Sequence, residues 1–205
     1  MTKIKICGLT NISDVIAAVQ LKVDYLGFIF YAGSPRFASP EFVARANKVI
    51  PSNIKTVGVF VNSPKCVINI YQRELNLDVI QLHGDEDPSI IQYLSTTSWK
   101  ALHITDYDKV DQALEYPSDK LVIDSRTDYE YGGTGITCDW RLAKKVAEKR
   151  DIFLAGGINE ANVEEAIITV NPYGIDISSG VESEPGKKDH QKLFNLVSKI
   201  RNLEQ

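Results

Sequence analysis

Lys3-Ile4-Lys5-Ile6-Cys7-Gly8 opens the chain, and its reading governs the rest. Ile4 and Ile6 alternate with Lys3 and Lys5, the period of a short strand, and the strand hands a thiol to a turn at Gly8. A cysteine at the C-terminal mouth of a first strand has two readings. It is a small buried hydrophobe, the commoner fate of a free cysteine, or a titratable group held on a rigid element, where chemistry is placed. The remainder of the chain has to decide between them.

Moving outward, Tyr25-Leu-Gly-Phe-Ile-Phe30 is a nearly continuous apolar run, as a strand buried on both faces requires. Lys55-Thr-Val-Gly-Val-Phe-Val61, Asp78-Val-Ile-Gln-Leu-His83, Trp99-Lys-Ala-Leu-His-Ile104, Lys120-Leu-Val-Ile-Asp124, Asp151-Ile-Phe-Leu-Ala155 and Tyr173-Gly-Ile-Asp-Ile177 read as further strands. Helices are expected between them. The first starts at the Asn11 cap with Asp14 in its first turn. Others cover 40–49 with Pro40 at the first position, 64–74, 88–94, 109–115 and 139–148 behind an Asp139 cap. Asn159 starts another, and the last runs to about Arg201. Alternating units imply a parallel sheet. Eight of them fit one α/β domain over 1–205, a single closed (β/α)8 TIM barrel, better than a flavodoxin-like open sheet with fewer strands.

Hydrophobic content of 43% and charged content of 24% are those of a globular protein that buries a sizeable core. A net charge of −4 argues against nucleic-acid and membrane-surface partners. Met1-Thr2-Lys3 leads straight into a strand without a signal peptide, and no apolar run is long enough for a bilayer. The odd cysteine count (Cys7, Cys66, Cys138) without a CxxC pair argues against disulfides and a cysteine zinc site, and for a reducing, cytoplasmic location. With only His83, His103 and His190 as imidazoles, a metal has no support and none is assigned. Monomer and homodimer both stay open.

In a (β/α)8 barrel the site lies at the C-terminal strand ends. That rule selects Cys7, Arg36, His83, Asp124, the Gly156-Gly157 turn and Ser178-Ser179-Gly180. The Gly156-Gly157-Ile158-Asn159 turn before a helix, and Asp176-Ile-Ser-Ser-Gly180 after the eighth strand, fall on the loops that usually seat phosphate. Tight turns alone would also use these glycines. Asp124 ends an apolar strand and runs into an extended polar segment, 125–138. A carboxyl there can keep its proton and act as an acid, or simply cap a turn. Arg36 in Ser34-Pro-Arg36 suits a carboxylate, although most loop arginines are solvated. His83 can bind a ligand or pin its turn. Cys66 and Cys138 read as packing. Tyr131-Gly-Gly-Thr-Gly135 reads as a lid or a solvated loop, and follows no strand as a dinucleotide fingerprint would.

Lys5-Ile-Cys-Gly-Leu-Thr10, Ser34-Pro-Arg36, Gln81-Leu-His-Gly84, Asp124, Gly156-Gly157, Asp176-Ile-Ser-Ser-Gly-Val-Glu182 and Pro185-Gly-Lys-Lys-Asp189, in this order, resemble the phosphoribosylanthranilate isomerase family over essentially the whole chain. Ala155 departs from it, where a serine more often precedes the glycine pair. The resemblance implies an Amadori rearrangement of N-(5-phosphoribosyl)anthranilate to 1-(2-carboxyphenylamino)-1-deoxyribulose 5-phosphate in tryptophan biosynthesis, without a cofactor. It implies Asp124 as general acid on the ribose ring oxygen and Cys7 as general base at C2. It sets Arg36 and His83 at the substrate, with Arg36 facing the anthranilate carboxylate. It gives Gly156, Gly157, Asp176, Ser178, Ser179 and Gly180 to the phosphate. By strand parity Lys5 shares the side of Cys7 and is expected to favour its thiolate. Rival readings are another phosphate-binding barrel enzyme, such as an indole-glycerol-phosphate synthase or a pentose-phosphate epimerase, and a non-catalytic barrel that only binds phosphometabolites.

Overall fold

The alternation of strands and helices carries directly into the architecture. The computed structural model describes residues 1–124 and 139–203. The expected lid Tyr131-Gly-Gly-Thr-Gly135 and Cys138 lie outside the described residues. In chain order the elements are β1 (Lys3–Cys7), α1 (Ile12–Gln20), β2 (Tyr25–Ile29), α2 (Pro40–Ala46), β3 (Lys55–Phe60), α3 (Lys65–Glu74), β4 (Val79–Leu82), a 3-10 helix (Pro88–Tyr93), β5 (Thr97–Leu102), α4 (Tyr107–Glu115), β6 (Lys120–Ile123), α5 (Trp140–Ala147), β7 (Ile152–Leu154), α6 (Val163–Val170), β8 (Gly174–Ile177), a 3-10 turn (Ser179–Val181), β9 (Glu182–Glu184), β10 (Lys187–Lys188) and α7 (His190–Asn202). Strands β1 to β8 pair in parallel and in order, and β1 closes onto β8 with Lys5 opposite Asp176 and Ile6 opposite Ile177. The expected closed barrel is therefore present.

Several boundaries differ from the expectation. Helix α6 begins at Val163, not Asn159, because Asn159 is consumed by a turn: its Oδ1 accepts from the Ala161 amide and its own amide donates to Asn162 Oδ1. The segment after Pro88 is a 3-10 helix that buries no residue, so no apolar face draws it into a full α-helix. Strand β5 begins two residues earlier than the apolar run suggests, since Thr97 pairs with Val79. The antiparallel β9–β10 hairpin, outside the barrel sheet, has no counterpart in the expected element order.

Strand parity divides the residues between two apolar regions. Ile4, Ile6, Leu26, Phe28, Ile80, Leu82, Leu121, Ile123, Ile175 and Ile177 face the helices. Cys7, Val57, Val59, Val79, Trp99, Ala101, Val122, Phe153 and Ala155 fill the barrel interior. Trp99 and Phe153 stack there at 4.4 Å, and Tyr25 meets both edge-on at 5.0 and 5.3 Å. The interior is thus a packed core under the mouth.

At the opposite end of the barrel, one carboxylate arrangement occurs three times. The aspartate before an even strand accepts from the amide of the second residue of the preceding odd strand. Asp24 Oδ2 takes Ile4 N at 2.9 Å, Asp78 Oδ2 takes Thr56 N at 2.9 Å, and Asp119 Oδ2 takes Ser98 N at 2.7 Å. Each aspartate returns its own amide to the carbonyl of the same residue, at 2.9, 3.1 and 2.9 Å. Asp24 also meets Lys3 Nζ at 2.8 Å and Arg201 Nη2 at 3.0 Å. Burial works to raise its pKa, but Lys3, the Ile4 amide and Arg201 outweigh burial and hold the carboxyl below the ordinary aspartate range. A depressed carboxyl stabilises the fold above its unfolded pKa, and that contribution is lost as pH falls through the folded value. Asp24→Asn is therefore expected to destabilise the protein by about 1–2 kcal/mol at pH 7. In chemical denaturation the gap to wild type should begin to narrow below about pH 4 and close only once the pH falls below the folded pKa.

Candidate active site

Cys7, Arg36, His83, Asp124, Gly156, Gly157, Asp176, Ser178, Ser179 and Gly180 all line one cleft at the C-terminal strand ends. Residues scattered from β1 to the turn after β8 are brought together because every strand of a parallel barrel ends on the same face.

Cys7 closes β1 and is buried, its thiol turned inward by the parity that turns Ile6 outward. Gly27 pairs with it on β2, and a Cβ at that position would stand 2.7 Å from the Cys7 sulfur. Two residues down the strand, Lys5 is wholly buried with Nζ 2.7 Å from Asp176 Oδ2. The Lys5 ammonium also acts on the thiol two residues further along the strand. Burial pushes the Cys7 thiol above its ordinary pKa, Lys5 and Lys188 pull it down, and Asp176 pushes it up again. The expectation that Lys5 favours the thiolate holds in sign, but burial prevails in the free protein. Asp176 sits differently from a phosphate ligand. Its Oδ2 accepts from Lys5, its Oδ1 is buried without a partner among the described residues, and its negative charge would repel a phosphate dianion.

Asp124 follows β6 and is 6% exposed. Its Oδ2 lies 3.1 Å from His83 Nε2, and His83 Nδ1 lies 2.9 Å from Gln81 Nε2. His103 Nδ1 meets the Asp124 carbonyl oxygen at 3.1 Å. His83 is thus set against the carboxyl of Asp124 in addition to fixing its turn, where its amide donates to the Phe60 carbonyl at 2.7 Å.

Arg36 is not a solvated loop arginine. Nε and Nη2 form a fork on Glu182, at 3.0 Å to Oε1 and 2.8 Å to Oε2. Lys188 Nζ, on β10, takes Glu182 Oε1 at 2.8 Å and the Ser178 carbonyl at 3.1 Å. Burial would raise the Glu182 pKa, but Arg36 and Lys188 hold it below the ordinary range. Burial lowers the Lys188 pKa against the opposing pull of Glu182.

Between these groups lie the two turns expected to hold phosphate. Gly156 and Gly157 have φ of 77° and 66°, a conformation that costs glycine least. A Cβ on Gly180 would come within 1.9 Å of the Ile158 carbonyl, so the turn after β8 rests directly on the turn after β7. Ser178 Oγ is buried and has no protein partner among the described residues. A buried hydroxyl of that kind leaves a donor for a ligand. Among the described residues, no group of three or more His, Cys, Asp and Glu side chains converges as a metal would need.

Gln81, Glu182 and Lys188 were not singled out from sequence as site residues. Gln81 carried a usable signal, a polar residue at an inward-facing position of the apolar strand Val79-Ile-Gln-Leu82. Glu182 and Lys188 are joined by a hairpin that periodicity did not reveal.

A thiol titration tests the electrostatics of this site. With Cys66 and Cys138 replaced by serine, the pH dependence of Cys7 alkylation should report a pKa above that of a free cysteine. Lys5→Met should move it higher still. A Cys7 pKa below the ordinary thiol value, or one indifferent to Lys5→Met, would contradict the geometry.

The sequence and the fold also match known proteins. Residues 4–199 match the family model described as N-(5'-phosphoribosyl)anthranilate (PRA) isomerase. The chain is 45% identical over 205 residues to the N-(5'-phosphoribosyl)anthranilate isomerase of Thermoanaerobacter sp. strain X514, covering 99% of this chain and 100% of that one. It superposes on the crystal structure of phosphoribosyl anthranilate isomerase from Thermotoga maritima with a TM-score of 0.92 at 36% identity, covering 98% and 100% of the two chains. A crystal structure of a phosphoribosyl anthranilate isomerase in complex with reduced 1-(o-carboxyphenylamino)-1-deoxyribulose 5-phosphate matches with a TM-score of 0.88 at 32% identity over 98% of this chain and 100% of its own.

Proposed function

The chain belongs to the N-(5'-phosphoribosyl)anthranilate isomerase family, an isomerase of tryptophan biosynthesis, and from that premise we propose that Cys7 and Asp124 carry out its proton transfers. The observation behind this is their placement. The two side chains enter one cleft from β1 and β6, and β7 and β8, which bear the glycine and serine turns, stand between those strands in the barrel.

With the substrate phosphate on Gly156, Gly157, Ser178, Ser179 and Gly180, the ribose would lie across the mouth between acid and base. Asp124 protonates the ring oxygen, the C1–O bond breaks, and the ring opens to a protonated Schiff base. Cys7 as thiolate takes the proton from C2, and the electron pair moves to the iminium nitrogen to give the enolamine. Tautomerisation then yields the 1-amino-1-deoxyketose. Arg36 presents Nη1, the nitrogen that Glu182 does not use, to the anthranilate carboxylate. The raised thiol pKa means that the base is a minority thiolate in the free protein.

The test is to mix the protein with freshly generated phosphoribosylanthranilate and follow the loss of its fluorescence. Cys7→Ser and Asp124→Asn are each expected to lower kcat by about 100- to 10,000-fold while a reduced product analogue still binds. An inactive wild type rejects the substrate assignment. Full activity in both variants rejects the mechanism.

A further inference from the structure

We propose that Gln81, acting through His83, fixes which oxygen of Asp124 carries the acidic proton. The proposal rests on the reading of Asp124 as general acid and adds a positioning residue to it. Gln81 lies on β4, is 1% exposed, and presents its side-chain nitrogen to His83 Nδ1 at 2.9 Å. An amide NH2 only donates, so Nδ1 accepts with its lone pair and the neutral ring carries hydrogen on Nε2. That Nε2–H points at Asp124 Oδ2, 3.1 Å away. A carboxyl whose Oδ2 receives this donor keeps its own proton on Oδ1, the oxygen not facing the imidazole. With the opposite tautomer, a bare Nε2 would accept an O–H from Oδ2 and hold the acidic proton against the ring instead of releasing it to a substrate.

The amide orientation carries this argument, and burial decides it. As placed, Gln81 Oε1 is buried and has no partner among the described residues. Turning the amide over would leave both N–H donors of the buried NH2 unmet in place of one donor and one acceptor, and a buried unmet N–H is the rarer of the two. The other titratable and charged groups at the pair are Cys7 on β1, Arg36 after β2 and Asp176 on β8, which share the cleft. His103, beyond β5, contacts the Asp124 carbonyl and not its carboxyl through Nδ1.

The measurement is nitrogen-15 NMR of the histidine rings, simplified by there being only three histidines, His83, His103 and His190. In wild type at neutral pH, His83 should show an unprotonated Nδ1 and a protonated Nε2. Gln81→Glu presents a carboxylate that accepts from Nδ1–H, so the tautomer should reverse and kcat should fall at least tenfold with KM little changed. Gln81→Met, which makes no hydrogen bond, should give a mixture of tautomers and an intermediate kcat. A wild-type ring protonated on Nδ1 overturns the proposal, as does a Gln81→Glu enzyme with reversed tautomer and undiminished kcat. If Gln81→Glu does not fold, the wild-type and Gln81→Met spectra still decide. The spectra do not depend on turnover, so full activity in Asp124→Asn would reject the acid assignment separately.

Discussion

The ammonium of Lys5 sits out of water, 2.7 Å from Asp176, on the seam where β1 closes onto β8. An unpaired charge in that position would be prohibitive, so closing the barrel and placing a partner for Lys5 are one requirement. The same strand parity that turns Lys5 inward turns Cys7 inward two residues later, and sends Ile4 and Ile6 to the helices. Lys5 therefore lies under the thiol with its charge already shared. A lone lysine would draw Cys7 strongly toward thiolate. Paired with Asp176, it only moderates the effect of burial, and the thiol remains above its ordinary pKa. Below the pair, Trp99, Phe153 and Tyr25 fill the barrel with ring edges and faces.

How far this could be read from residues alone depended on the reach of each signal. The strands were legible because alternation and apolar runs are local, and a parallel barrel converts strand ends into a common mouth without further information. Cys7, Asp124 and the two small-residue turns followed from that conversion. Boundaries failed where a side chain competed with the helix, as Asn159 does by bonding into its own turn. They failed also where tertiary pairing extended a strand past its apolar part, as at Thr97. The pairing of Asp176 with Lys5 was not legible because its partner in space is 171 residues away. The fork of Arg36 on Glu182, across 146 residues, was beyond any local pattern.

The chain continues after the eighth strand, and this last segment ties its end to its beginning. Glu182 reaches the mouth from the β9–β10 hairpin and holds Arg36, with Lys188 bound to the same carboxylate. Asp14 on α1 accepts from the Lys188 amide at 2.7 Å and contacts His190 Nε2 at 2.8 Å. Arg201, near the end of α7, donates to the Thr2 carbonyl at 3.0 Å. The Asp14 and Thr2 contacts join the first (β/α) unit to the last, and the Arg36 contact joins the second to the last. The orientation of Arg36 is therefore set by the completed ring and not by its own loop.

The three aspartates at the base have a different consequence. Asp24, Asp78 and Asp119 each join an odd strand to the even strand after it, and each gives one carboxylate oxygen and its backbone amide to one residue of that odd strand. The base is thus written in a two-strand unit repeated along the chain, whereas the mouth is written once, each strand end differing from the next. Register is held at the end of the barrel that does no chemistry. A lineage of such proteins is then free to exchange or lengthen the loops of the mouth while the strand order and stagger stay fixed, and a pair of strands is the natural grain along which such a barrel could be duplicated or divided.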